Sequence, residues 1–149
     1  MSESIDLEEA IPKLKVARET VTVVKYGGNA MVDEKIKESV AGDIASLRAL
    51  GVKVVVVHGG GPVISGMMEK LNMEPEFVDG QRKTDDESMG VVEMALSGKV
   101  NKDVVNKLVR QGVKAVGLSG KDAGMVRAKK RRQLVFEDGN EKVVHLGRV

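Results

Sequence analysis

Apolar residues in this chain change their spacing several times, and each change marks an element. Val21–Lys25 is rich in β-branched residues and predicts the first strand. Ile36, Val40, Ile44, Leu47 and Leu50 then recur at helical spacing, with Asp33 placed to cap the start and Gly51 to end it. Lys53–His58 predicts a second strand, a continuous valine run of the sort buried on both faces of a parallel sheet. Pro62 stands where a helix begins without losing a bond, and Val63, Ile64, Met67, Met68 and Leu71 form its apolar face. Residues 72–84 are less regular, extended around Phe77 and Val78 with a turn at Asp79-Gly80. Thr84-Asp85-Asp86-Glu87 has a capping-box pattern ahead of Met89, Val92, Met94 and Leu96. Ser97-Gly98 is expected to break that helix, and Val100, Val104, Val105 and Leu108 carry a further one to a stop at Gly112. Val113–Leu118 reads as a third core strand. From Met125 the pattern is hairpin-like, turning at Lys129–Arg132 and again at Asp138-Gly139-Asn140. Residues 1–20 form an N-terminal extension whose apolar side chains allow a short amphipathic helix interrupted near Pro12, or a loosely held tail.

Strand–helix–strand order implies parallel pairing, and hence an α/β fold with a doubly wound, mainly parallel sheet and helices on both faces. Both apolar strands run into glycine turns, Tyr26-Gly27-Gly28 and His58-Gly59-Gly60-Gly61-Pro62, and each turn runs into a helical segment. Glycine lets backbone approach a ligand, and free N–H groups at a helix start attract negative charge. With parallel strands the two turns open at one end of the sheet, the end where open α/β sheets bind ligands. Lys25 adds a positive charge there. The pattern points to an anionic, phosphate-bearing small molecule. Taken singly, the triple glycine also reads as a tight turn, and Arg82, ahead of a helix start, as an ordinary surface arginine or as a fork for a carboxylate. His58 reads as a strand-end histidine bonded locally. Substituting Gly60 is expected to disturb the ligand rather than the fold.

Composition narrows the chemistry. The 149 residues carry a net charge of only +2 and include no cysteine, which leaves no argument for nucleic acid and no thiolate metal site or disulfide. Lys129-Lys130-Arg131-Arg132 has no aromatic company and reads as a solvated turn. No metal site is expected from two histidines. No apolar run is long enough to span a membrane, and the acidic start does not read as a signal peptide, so a cytoplasmic protein is expected. The P-loop, dinucleotide-fold and nucleophile-elbow patterns all fail, since Ala115, Ile64 and Lys121 stand where each needs glycine.

Five stretches, in order, resemble the acetylglutamate kinases of the amino acid kinase family: Val24-Lys25-Tyr26-Gly27-Gly28-Asn29-Ala30-Met31; His58-Gly59-Gly60-Gly61-Pro62; Gly80-Gln81-Arg82-Lys83-Thr84-Asp85; Val92 to Lys102; and Ala115 to Asp122. The resemblance implies transfer of the ATP γ-phosphoryl group to the side-chain carboxylate of N-acetyl-L-glutamate in arginine biosynthesis, with Mg2+ accompanying ATP and a homo-oligomeric full-length enzyme. It implies that Lys25 steadies the transferring phosphoryl group and that the amides of Gly27, Gly28, Gly59 and Gly60 hold phosphoryl and substrate oxygens. Gly60, Gly61 and Arg82 would bind acetylglutamate, Arg82 gripping its α-carboxylate. Gln81, Lys83 and His145 depart from the family's usual residues at their positions. Family members continue into a second half with most of the nucleotide pocket and the metal chemistry, so residues 21–149 are expected to be the acetylglutamate-binding lobe of a truncated or split enzyme. The alternatives are a non-catalytic binding module and another carboxylate kinase, such as one acting on aminoadipate.

Overall fold

A computed structural model describes residues 6–78, 80–129, 132–137, 140–145 and 147. The expected turns at 79–80, 129–132 and 138–140 fall partly outside them. The chain divides into two compact units, one of residues 1–59 and 103–116, the other of residues 60–102 and 117–149.

The first unit begins with helix α1 (Leu7–Glu19), started by Asp6, whose carboxylate accepts from Glu8 N at 2.9 Å. Pro12 lies inside α1 rather than interrupting it, so a single ladder bond is lost while the cap and the following turns stand. None of its residues is buried. Strand β1 (Val21–Tyr26) follows, then a short 3-10 turn (Gly28–Met31) and helix α2 (Glu34–Ala49). Asp33 caps α2 as expected, accepting from Lys35 N at 2.7 Å and Ile36 N at 3.1 Å. Gly51, at φ +85°, closes it: its N–H donates to Arg48 O while Val52 N–H reaches back to Leu47 O. Strand β2 (Lys53–His58) pairs with β1 in parallel, from Val21 opposite Lys53 to Tyr26 opposite His58. This parallel pair, with its helices, makes the fold α/β.

The valine run is not buried on both faces. Val54 and Val56 pack on a core of Ala41, Ile44 and Leu108, but Val21, Val23, Val55 and Val57 are 57, 63, 48 and 52% exposed. Four valines in a row specify a strand; what lies over each face decides burial, and among the described residues it is the face of Val54 and Val56 that meets this core.

The second unit opens with helix α3 (Gly61–Lys70), Pro62 sitting in its first turn as expected. Its C-terminal signal is Asn72, at φ +56°, with Asn72 N–H on Glu69 O and Met73 N–H on Met68 O. Two short strands, β3 (Phe77–Val78) and β4 (Gln81–Arg82), pair antiparallel, which sets Phe77 directly opposite Arg82. Helix α4 (Asp86–Glu93) starts where the sequence predicts, but the capping side chain is Asp85, accepting from Ser88 N at 2.8 Å, while Thr84 is buried. Ile64, Met68, Val91 and Ala95 form this unit's core.

Ser97-Gly98 does not break the chain of helices. Met94–Val100 continues as a π-helical segment that runs directly into α5 (Asn101–Arg110). A wider turn takes up residues that fit an α-helix poorly, so the expected break becomes a bulge. Gly112, at φ +81°, ends α5 in the manner of Gly51. The stretch 113–118, expected as a third strand, keeps a strand's alternation of half-buried and exposed residues but joins no sheet among the described residues. Val113 and Ala115 pack beside the α2 core, so the alternation reports one covered face, whereas a ladder needs a neighbouring strand in register. Strands β5 (Arg132–Glu137) and β6 (Asn140–His145) form the expected hairpin, Glu137 opposite Asn140.

Candidate functional site

In the first unit the two strand ends are tied to one another. Tyr26 is buried, and its hydroxyl donates to Ala30 O at 2.9 Å, folding the Gly27–Ala30 turn back over the strand end. Burial pushes the Tyr26 phenol above its usual range, which keeps that donor protonated. Gly28 sits at φ +62°, a conformation costly for any other residue, and nothing lies within 4 Å of where its side chain would be. The Gly59 N–H donates to Tyr26 O at 3.0 Å. Gly59, expected to offer its amide to a phosphoryl oxygen, therefore uses it to join the second glycine turn to the first strand. Lys25 is exposed and shares the open face of β1 with Val21 and Val23. His58 Nδ1 lies 2.9 Å from Gly59 O, the local bond that the sequence suggests.

In the second unit Gly60 launches α3, its carbonyl accepting from Ile64 N at 3.0 Å. A Cβ on Gly60 would stand 2.7 Å from Leu96 Cδ2 and 3.0 Å from Val100 Cγ2, both on the π segment. A Cβ on Gly61 would meet open space. Position 60 is thus glycine for packing reasons, in addition to any ligand. The π segment was not legible as a support for this loop, because Ser-Gly reads as a stop.

Among the described residues of this unit, Arg82 is a cation held from several sides. It is half-buried; its Nη2 donates to Ser65 Oγ at 2.7 Å, Nη1 lies 3.3 Å from Met68 Sδ, and its Cζ stands 4.6 Å from the Phe77 ring centre. Burial lowers its pKa, yet among the described residues no carboxylate pairs with it. A desolvated guanidinium held by a hydroxyl, a thioether and an aromatic face keeps its charge unbalanced, and so favours an anionic visitor. By contrast Lys83, next along, is paired with Glu76 at 2.5 Å. Two residues of the resembling stretch Val92 to Lys102 brace the unit: buried Asn101 donates to Leu118 O at 3.4 Å, and Lys102 Nζ to Gly117 O at 3.2 Å.

Residues 20–148 match the amino acid kinase family. The chain belongs to that family. Among its relatives the acetylglutamate kinase of Methanocaldococcus jannaschii is 49% identical over 144 residues, covering 96% of this chain and 48% of the relative. The acetylglutamate kinase of Halorhodospira halophila is 54% identical over 124 residues, 83% of this chain and 41% of the relative. The chain thus spans about half the length of the curated relatives it matches. Among solved structures, smu.665 of Streptococcus mutans superposes with a TM-score of 0.58 at 31% identity, over 67% of this chain and 40% of that one. The N-acetylglutamate synthase of Neisseria gonorrhoeae, solved with coenzyme A and N-acetyl-glutamate, gives a TM-score of 0.61 at 21% identity over 94% of this chain and 30% of that one, a likeness of fold. Among the described residues no three His, Asp or Glu side chains come together as a metal site, and no helix is long and apolar enough to cross a membrane.

Proposed function

We propose that this chain is the acetylglutamate-binding part of an acetylglutamate kinase. In that reaction a side-chain carboxylate oxygen of N-acetyl-L-glutamate forms a bond to the γ-phosphorus of ATP. The bond from that phosphorus to the β–γ bridging oxygen breaks, leaving ADP and an acyl phosphate. The single observation that carries the reading is the unpaired, half-buried Arg82, which suits the α-carboxylate of the acceptor. Gly60 and Gly61, at the start of α3, would present backbone to the same ligand. Lys25 would offset charge on the transferring phosphoryl group, with the amides of Gly27 and Gly28 for its oxygens; Gly59 serves them by fixing the turn. Phosphoryl transfer asks mainly for positioning and charge stabilisation, and a lysine with oriented amides supplies both. Mg2+ would arrive with ATP. The described residues do not form a site that would hold it, and no step is routed through it. A cytoplasmic, homo-oligomeric full-length enzyme fits this reading.

Arg82→Ala tests it directly. Titration of the chain with N-acetyl-L-glutamate should show binding weakened at least tenfold, about 1.5 kcal/mol, the low end for hydrogen bonds to a charged group. Circular dichroism should show the fold intact. Unchanged affinity removes Arg82 from the site, and tighter binding of aspartate or aminoadipate by the parent chain moves the assignment to another carboxylate kinase.

A further inference from the structure

We propose that Ser65 and Phe77 are positioning residues that hold the Arg82 guanidinium in the orientation from which it receives the acceptor's carboxylate, a proposal that rests on the reading above. An arginine side chain has several rotatable bonds, and a free one must be ordered when it binds. Here the ordering is done in advance from two elements. Helix α3 contributes Ser65 and Met68, three residues apart and so on one face of the helix, whose Oγ and Sδ meet Nη2 and Nη1. Strand β3 contributes Phe77, placed opposite Arg82 by the antiparallel register, so that its ring lies against one face of the guanidinium.

The chemistry of these partners matters as much as their number. Guanidinium has five N–H groups. One goes to a hydroxyl and one to a sulfur, and the other three meet no acceptor among the described residues. Neither partner is charged, so the arginine is fixed without being neutralised. A carboxylate needs two parallel N–H groups for a forked pair, and the three that remain suffice. Ser65 is also the residue type for which the test is sharp, because threonine keeps the hydroxyl and alanine removes nothing else of size.

The experiment uses the 149-residue chain with Ser65→Ala, Ser65→Thr and Phe77→Leu, and two readouts. The first is calorimetric titration with N-acetyl-L-glutamate. The second is the nitrogen–proton NMR signals of the Arg82 guanidinium in the free protein, where a fixed group gives separate Nη signals and a rotating one gives an averaged signal. Expected are separate signals in the parent chain, averaged signals in Ser65→Ala with affinity lowered about three- to tenfold at an unchanged unfolding midpoint, and restoration of both by Ser65→Thr. Phe77→Leu should likewise average the signals and weaken binding. Parent affinity in Ser65→Ala, or averaged signals in the parent chain, overturns the positioning role. Separate signals in a parent chain that binds no acetylglutamate overturn the functional reading, and with it Arg82's ligand, but uphold the clamp, so the two failures are told apart.

Discussion

Position 60 shows how one residue answers two demands. Its amide backbone belongs to the turn that starts α3, while the direction a side chain would take is filled by Leu96 and Val100. The sequence alone suggests that only a ligand would notice a substitution there; the packing says that the fold would notice first. Gly60→Ala is expected to destabilise the chain by about 1–3 kcal/mol through overpacking, read as a lower denaturant midpoint, and Leu96→Ala in the same chain should restore part of the loss. A midpoint equal to the parent's would mean that the π segment yields freely. Arg82 was visible in the sequence as a cation ahead of a capped helix. Its partners Ser65 and Phe77 were not, since they lie 17 and 5 residues away and meet it only once α3 and the β3–β4 pair have formed.

Among the elements, those with strong local signals were legible and those that depend on neighbours were not. Asp33 acts through its carboxylate on nearby backbone N–H groups, and Gly51 and Gly112 through backbone bonds within a few residues, so helix α2 and the end of α5 could be read directly. The π segment and the unladdered 113–118 stretch depend on what packs beside them, whereas α1 runs through Pro12 with none of its residues buried. One join between elements makes a pH prediction. Lys107 of α5 reaches Glu34 at 2.8 Å and Glu38 at 3.0 Å on α2, and Glu34 also accepts from Lys37 at 2.6 Å. Hydrogen bonds from Lys107 and then Lys37 hold the Glu34 carboxyl down at about 2, whereas an unfolded glutamate titrates near ~4.3. Because the folded value is the lower one, this contribution is complete above about pH 4.3 and is lost as pH falls toward 2. Glu34→Gln should therefore flatten the acid limb of a stability–pH curve between those values, and added salt should shrink the difference, since Glu34 is largely exposed. Parallel acid limbs in parent and variant would show that the ion pairs do not couple α2 to α5.

At the scale of the whole chain, the α/β class followed from strand–helix–strand order, and the family from motifs that span both units. Burial of the valine strands did not follow, because a periodic pattern records what a strand can tolerate rather than what covers it. Strands β1 and β2 pair only with each other among the described strands, beside an apolar face of exposed valines. Six-residue segments of this kind, rich in β-branched residues and free of proline, are templates for intermolecular cross-β stacking. The isolated chain at high concentration should form thioflavin-positive assemblies, and Val23→Lys with Val55→Lys, which leave the core valines Val54 and Val56 in place, should suppress them in light scattering. A parent chain that stays monodisperse would show that the edges are protected. On that expectation, the two strands whose glycine ends carry the proposed phosphate contacts would also set the chain's colloidal stability, and their exposed valine face would need cover whatever the chain binds.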